Sequence, residues 1–356
     1  MKVFIVHDNP YNAGNPYIYT LIDSISVVHK DVEWGWGDQS FWSEDVFAYD
    51  IIHFQWPQVL MSGDKEHTFD DLRQHLNEIH KRGIKIVATC HDARPHYTQG
   101  ADGAMAFPIV YEACDLMFHL GEASLEYFKS VYKQAQHKLL PHQVFDTVYT
   151  QIPTREVARK RLNLALDKKY ILCLGAFRAA EEQQLVNDVI KGLHNKDVYI
   201  IAPAYKCLPT KRMFLDFRGA LLFQYYKNVK HIIMTGKDWT PVTDEELPFY
   251  YAAVDMCLVH RKKILNSGNA ILPLMMKRLV VGPHINNVGW LLDKCGYPTF
   301  DVTNTQSLVD CVRKGLEMAD SELVEKNYIM CMKEFSTAVV AEKMYQHYTD
   351  LLNNIK

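Results

Sequence analysis

Residues 255–283, DMCLVHRKKILNSGNAILPLMMKRLVVGP, read as strand, loop, helix and strand, and that reading decides the fold class. Residues 255–259 are a short apolar run ending at His260, the pattern of a buried strand. Arg261, Lys262 and Lys263 make a cationic loop. Asn266, Ser267, Gly268 and Asn269 then supply capping side chains and a small residue where a helix should begin. Residues 270–276 are apolar and helix-forming, and 279–282 return as the next strand. A helix N-terminus just after three cations, at the carboxyl end of a strand, favours a phosphate, because free amides and the helix dipole both point outward there. An ordinary strand–helix–strand unit with a well-capped helix would carry the same residues, so the rest of the chain has to separate the two readings.

Upstream, residues 170–174 read as a strand, Gly175-Ala176-Phe177-Arg178 as a loop and 180–193 as a helix. Strands at 198–202 and 231–235 and a helix at 244–253 lead into the opening segment. Downstream, residues 321–356 form a long helical tail with Phe335, Val339, Tyr345 and Tyr348 among its apolar positions. The first half repeats the alternation. Strands are expected at 3–7, 32–36, 50–54, 84–89, 115–120 and 138–140, with helices at 16–30, 69–82 and 123–134. Asn15 stands where a cap belongs and Pro16 where a helix accepts proline, and Gly83 stops the second helix. Such alternation implies parallel sheets covered on both faces. The strand carboxyl ends of such sheets line the ligand crevice, and polar clusters at Asn9, Trp56, His91 and His142 all follow strands. The pattern restarts after a polar stretch at 143–169, and the domain boundary falls within it.

At 356 residues the chain can build two cores. With 48% hydrophobic and 23% charged residues it is globular. No apolar run approaches the roughly 20 residues of a membrane span. The opening MKVFIVHDNP meets Asp8 and Pro10 at once, so no secretory leader is expected. Its 8 cysteines form no CxxC pair and are expected as reduced core residues of a cytosolic protein. Net charge is −3, divided unevenly, with 15 Lys and Arg against 21 Asp and Glu through residue 165 and 24 against 21 beyond it. The positive half holds the phosphate-suited loops, which fits an anionic ligand. No basic stripe points to nucleic acid, and no HExxH or similar spacing points to a metal.

Several ordered words carry a resemblance. Residues 250–283 hold a "SG" turn before a helix and a closing "VVGP" strand. Asn15-Pro16-Tyr17, His53-Phe54-Gln55-Trp56-Pro57, Thr89-Cys90-His91-Asp92 with Arg94-Pro95-His96, and Leu140-Pro141-His142 follow in order. Gly175-Ala176-Phe177-Arg178 gives a "G-x-x-R" loop, and Phe335-Ser336 with Tyr348-Thr349-Asp350-Leu351-Leu352 a closing helix. Together these resemble family 4 glycosyltransferases, in particular a bacterial polysaccharide and mannosyltransferase-like subgroup. The resemblance implies a GT-B fold of two doubly wound Rossmann-like domains. The acceptor-side domain would cover 1–165, the nucleotide-sugar domain 166–334, and a helix at 335–356 would cross back to the first. It implies a cytoplasmic, metal-independent hexosyltransferase of surface polysaccharide synthesis, with room for peripheral contact at the inner face of the membrane. The donor is a nucleotide sugar, which is a substrate, so no cofactor is expected. The acceptor is a glycan or lipid-linked glycan. Three positions depart from the family. Leu265 and Pro273 stand where it has two glutamates, and Glu181 where it has a donor-phosphate lysine.

Glycosyl transfer needs the departing diphosphate stabilised, here by cations and amides. Arg178 offers a bidentate fork. Lys262, Lys263, Asn266, Ser267, Gly268, Asn269 and His142 complete the donor candidates. His91 and Asp92 are the catalytic candidates, as sugar contact or acceptor base. Packing of His91 and capping by Asp92 are the plain alternatives. His96 is a weaker candidate, as is His142, since 16 histidines guarantee accidental placements. Asn9, Tyr11, Asn12, Asn15 and Trp56 are the acceptor candidates, amides and aromatic faces suiting a sugar, although turn chemistry explains Asn9 and Asn12 as well. A nucleotide-sugar epimerase of the same fold and a non-catalytic nucleotide-sugar or glycan binder remain open beside the transferase.

Overall fold

The computed structural model describes every residue except 13, 62–65, 93–100, 206–216, 235–241 and 355–356. The chain divides into two compact units, Met1–Val148 with Lys333–Lys356, and Tyr149–Met332.

The first unit holds six strands: β1 (Lys2–Val6), β2 (Glu33–Trp36), β3 (Ile51–Phe54), β4 (Lys85–Cys90), β5 (Leu116–His119) and β6 (Gln136–Leu139). They lie side by side as β2-β1-β3-β4-β5-β6, every pair parallel. β3 and β5 are buried along their whole length, His53 and His119 included, as strands in a sheet covered on both faces are. The chain leaves β1 for β2 on one side and returns to β3 on the other, so β1 and β3 flank the switch point where such sheets place ligands.

Helix Tyr17–Val28 starts one residue later than its sequence suggests. Pro16 occupies the N-cap without a side-chain cap bond, while the Asn15 amide oxygen accepts from Tyr17 N at 3.1 Å. The closing helix, Thr337–Leu352, packs on Tyr17–Val28 and buries Val340, Ala341, Met344, Tyr348 and Leu351. Asp146 holds its first residue, accepting from Thr337 N and Oγ1 at 2.7 and 2.6 Å. The tail thus crosses back to the first unit.

The second unit has β7 (Lys169–Leu172), β8 (Val198–Ile201), β9 (Ile232–Ile233), β10 (Met256–Leu258), β11 (Leu279–Pro283) and β12 (Thr299–Phe300). Their order, β12-β11-β10-β7-β8-β9, is the Rossmann order, with the switch point between β7 and β10. Helix Ala180–Leu193 follows β7 and Gly268–Met275 follows β10. At the opposite, amino-terminal end of this sheet, buried Asp255 is ringed by Arg159 at 3.0 Å, Lys169 at 3.1 Å and the Tyr170 amide at 2.8 Å. No helix among the described residues is long and apolar enough to cross a membrane.

Candidate functional site

The loops at the second unit's switch point are locked together by a buried ion pair. After β7, Gly175 takes φ +96°, a conformation that disfavours any side chain, and a Cβ there would also stand 3.1 Å from Asn269 Nδ2. The chain can therefore approach the start of the Gly268–Met275 helix, and Asn269 Nδ2 donates to Leu174 O at 2.8 Å. After β10, Arg261 donates through Nη1 to Glu182 Oε2 at 2.5 Å and through Nη2 to Ala176 O at 2.6 Å. Glu182 Oε2 also accepts from the Arg178 amide at 2.6 Å. Arg261 and Glu182 are both 7% exposed, and burial of charge on this scale is tolerated because each partner is met by charge or hydrogen bond. The Arg178 side chain is exposed, Lys262 is half-buried and Lys263 exposed. The cation that reaches the β7 loop is Arg261.

His260 lies beneath this pair, 1% exposed, its ring stacked on Phe177 at 4.2 Å and 22°. Burial, and then the Arg261 charge, pull its pKa down to about 3; the Ala176 and Leu258 carbonyls offset part of that fall without giving either ring nitrogen a hydrogen-bond partner. The imidazole is therefore neutral.

The helix at the heart of the sequence argument begins at Gly268, two residues before the expected start, with Ser267 at the N-cap and no side-chain cap bond. The expected capping side chains are turned to neighbouring loops. Asn266 Oδ1 accepts from Asn287 Nδ2 at 2.7 Å, and Asn269 serves Leu174. Asn286 Nδ2 and Asn287 N hold the same loop through Ile264 O and Leu265 O, at 2.8 and 3.2 Å. Among the described residues a Cβ at Gly268 would meet nothing within 4 Å. Ala270 N donates to Ser267 O at 2.9 Å; the Gly268 and Asn269 amides precede the first α-helical hydrogen bond, with Arg178 and Arg261 on the adjoining loops. Of the three departures, Glu181 is exposed, Leu265 serves through its carbonyl, and Pro273 is buried inside the helix.

The first unit's switch point carries aromatic, imidazole and amide groups instead, with the Asp92 carboxylate among them. Trp56, after β3, stacks on His91, after β4, at 4.3 Å and 18°. Tyr17 presents an edge to His91 at 4.6 Å and to His142 at 5.0 Å. His7, after β1, lies 5.5 Å from the Trp56 ring. His91 Nε2 pairs with Gln55 Oε1 at 2.8 Å. Asp92 is buried beside it, its carbonyl accepting from Tyr111 Oη at 3.2 Å. His142 donates through Nδ1 to Gln143 O at 2.6 Å, and burial pulls its pKa down to about 4.

The structure thus groups His91, Trp56 and His142 in the first unit. The loop after β1 is shaped by turn chemistry. Asn9 Oδ1 accepts from Tyr11 N at 3.0 Å, and Asn12 N donates to Asn9 O at 3.0 Å. Tyr11 belongs to a separate aromatic group with Tyr19 and Trp36. It donates to Asp23 at 2.8 Å, and burial and that carboxylate push its phenol up to about 12. His96 lies outside the described residues. The sequence names Tyr17 and Gln55 only within the resembling words and His260 only as a strand end, assigns Glu182 nothing, and favours Lys262 and Lys263 over Arg261. The signal for Arg261 was its place nearest the strand end. Glu182 had none, because its partner is 79 residues away.

No protein-family model and no curated protein matches this chain. Solved structures do match over its full length. Sucrose-phosphate synthase from Thermosynechococcus elongatus superposes with a TM-score of 0.70 at 16% identity, covering 99% of each chain. Anabaena HepE in complex with UDP-glucose gives 0.66 at 11% identity, over 98% of this chain and 100% of that one. An alpha,alpha-trehalose 6-phosphate synthase from Burkholderia multivorans gives 0.62 at 10% identity, over 99% and 96%. These likenesses establish the GT-B fold expected from the sequence.

Proposed function

We propose that the protein is a glycosyltransferase that moves a hexose from a nucleotide sugar to a glycan or lipid-linked glycan. The observation that carries the reading is the second unit's switch point. An ion pair fixes two loops there, and an exposed arginine and a helix N-terminus stand on those loops. Such a place suits a diphosphate. The similar folds of HepE with UDP-glucose and of sucrose-phosphate synthase support a nucleotide sugar as its ligand.

In this mechanism Arg178 and the amides of Ser267, Gly268 and Asn269 hold the diphosphate as negative charge develops. Arg261 fixes the loops and adds positive potential, and Lys262 and Lys263 extend it. Together these groups allow departure without a metal. Asn266 shapes the loop, and His142 joins the donor contacts. The sugar and acceptor meet the aromatic and polar surface of the first unit, with His91 contacting the sugar or taking the acceptor proton and Asp92 as the alternative base. Trp56 offers a face to sugar C–H groups, and Asn9, Tyr11, Asn12 and Asn15 extend the acceptor surface. We place the reaction in cytoplasmic synthesis of surface polysaccharide, with peripheral contact at the membrane when the acceptor is lipid-linked.

The test is incubation with radiolabelled UDP- and GDP-sugars and a lipid–glycan extract. Label transferred to the extract is the expected result. Label isomerised on the nucleotide would identify an epimerase, and label bound but unchanged would identify a binding protein, in keeping with Leu265, Pro273 and Glu181.

A further inference from the structure

We propose that the outward face of helix Phe217–Val229, in the second unit, is a docking surface for a membrane whose lipids carry anionic headgroups. Its purpose rests on the lipid-linked acceptor of the proposed transferase; the surface itself does not. The helix lies between β8 and β9 in the chain and packs on β9, within one unit.

A helix that covers a sheet buries one face and turns a polar one to water. Helix Thr305–Met318 of the same unit does so, its exposed positions being Thr305, Gln306, Asp310, Arg313, Lys314 and Glu317. Helix Ala180–Leu193 exposes Glu181, Gln184 and Lys191 beyond its first residue. Helix Phe217–Val229 does the opposite. Leu221, Tyr225 and Val229 are 53%, 44% and 59% exposed. They recur every fourth residue, so they share one face and run along about 12 Å of it. Tyr226, the next residue, is half-buried and turns its ring to buried Tyr205 at 5.7 Å. A lone exposed apolar residue is ordinary, but an apolar row on a surface helix marks a contact site.

The charge around the row selects the partner. Residues 217–234 carry Arg218, Lys227 and Lys230 and no Asp or Glu, in a chain whose net charge is −3. Lys230 Nζ lies 5.7 Å from the centre of the Tyr225 ring, so a cation stands at the border of the apolar row. A lysine in such a place lays its stem along apolar surface and keeps its ammonium among headgroups. Tyrosine suits the same boundary, with an apolar ring and a wet hydroxyl. An apolar protein surface would match the row alone. A bilayer with anionic lipids matches the row and the cations together, since its acyl boundary takes Leu221 and Val229 while its headgroups draw the lysines. With 13 residues, the helix is shorter than the roughly 20 a membrane span needs, so it lies on the surface.

Co-sedimentation of the full-length protein with lipid vesicles, with no sugar donor or acceptor present, tests this apart from the transferase reading. Binding is expected on vesicles of phosphatidylglycerol mixed with phosphatidylcholine, and binding about tenfold or more weaker on phosphatidylcholine alone. Leu221→Ser combined with Tyr225→Ser and Val229→Ser, all at exposed positions, should weaken binding to the mixed vesicles about tenfold or more. Lys227→Glu with Lys230→Glu should do the same. A wild type that ignores the mixed vesicles, or variants that bind them as the wild type does, would overturn the proposal. So would a vesicle-free dimer that the triple variant makes monomeric, because the face would then belong to a second copy of this chain.

Discussion

The two switch points differ in how they hold their functional groups. In the second unit the groups are charged, and two loops are closed by the buried Arg261–Glu182 pair. In the first they are mostly aromatic and uncharged polar groups beside the Asp92 carboxylate, and His53, Gln55, His91 and Trp56 are fixed by hydrogen bonds and ring stacking. The same sheet architecture can thus grip an anion at one strand edge and orient hydroxyl groups at another. What separates them is whether the loops bring cations with a carboxylate partner or imidazoles held below their ordinary pKa.

Acid should break that comparison most strongly. Burial lowers the pKa of His53 and His119 to about 3 and of His142 to about 4, all in the first unit. The second unit has one such group among its described residues, His260 at about 3. An unfolded histidine titrates near 6.5, so the folded state binds fewer protons below that pH. The stability these groups contribute is complete above about 6.5 and is lost as pH falls. Each costs up to about 1.4 kcal/mol per pH unit. Burial also lowers His75 and His347 in the first unit, so the first unit should lose at least about three times as much stability as the second between pH 6.5 and 5. Pulse proteolysis in urea with mapped fragments checks this, and equal losses would count against the difference in the two surroundings.

Glu182→Ala attacks the other side. It leaves a buried guanidinium without its carboxylate, so the second unit should lose about 3–5 kcal/mol while the first is unchanged. Denaturant melts read by unit-specific fragments measure it, and a loss below about 1 kcal/mol would show that Arg261 finds solvent. His91→Ala sharpens the comparison by function. Turnover should fall by about 10²-fold with nucleotide affinity intact, because the diphosphate contacts belong to the second unit. Retained turnover would remove His91 from the mechanism.

Much of the fold was legible because local rules agreed. Helix Ala180–Leu193 was expected at those bounds, since Leu185, Val186 and Val189 mark one face and Glu181 and Glu182 sit in its first turn. Helix Asn286–Lys294 was not placed, because Ile285 stands at its N-cap where a polar residue is sought. Helix Thr305–Met318 was also passed over, although Asn304 caps it through Gln306 N and Ser307 N. That signal was present. The sites were legible as strand-end clusters, but their internal pairing was not. Arg261 with Glu182 and His53 with Tyr348 join residues 79 and 295 positions apart, and nothing local announces such contacts.

The central claim is that the second unit's switch point holds a nucleotide sugar. Calorimetric titration of the wild type and of Arg178→Ala with UDP- and GDP-sugars tests it most directly. Loss of a charged hydrogen bond worth about 1.5–3 kcal/mol should weaken binding roughly 10- to 100-fold, while Trp56→Ala in the first unit leaves the affinity for the nucleotide alone unchanged. A wild type that binds none of these sugars, or an Arg178→Ala protein that binds as tightly as the wild type, would contradict the account.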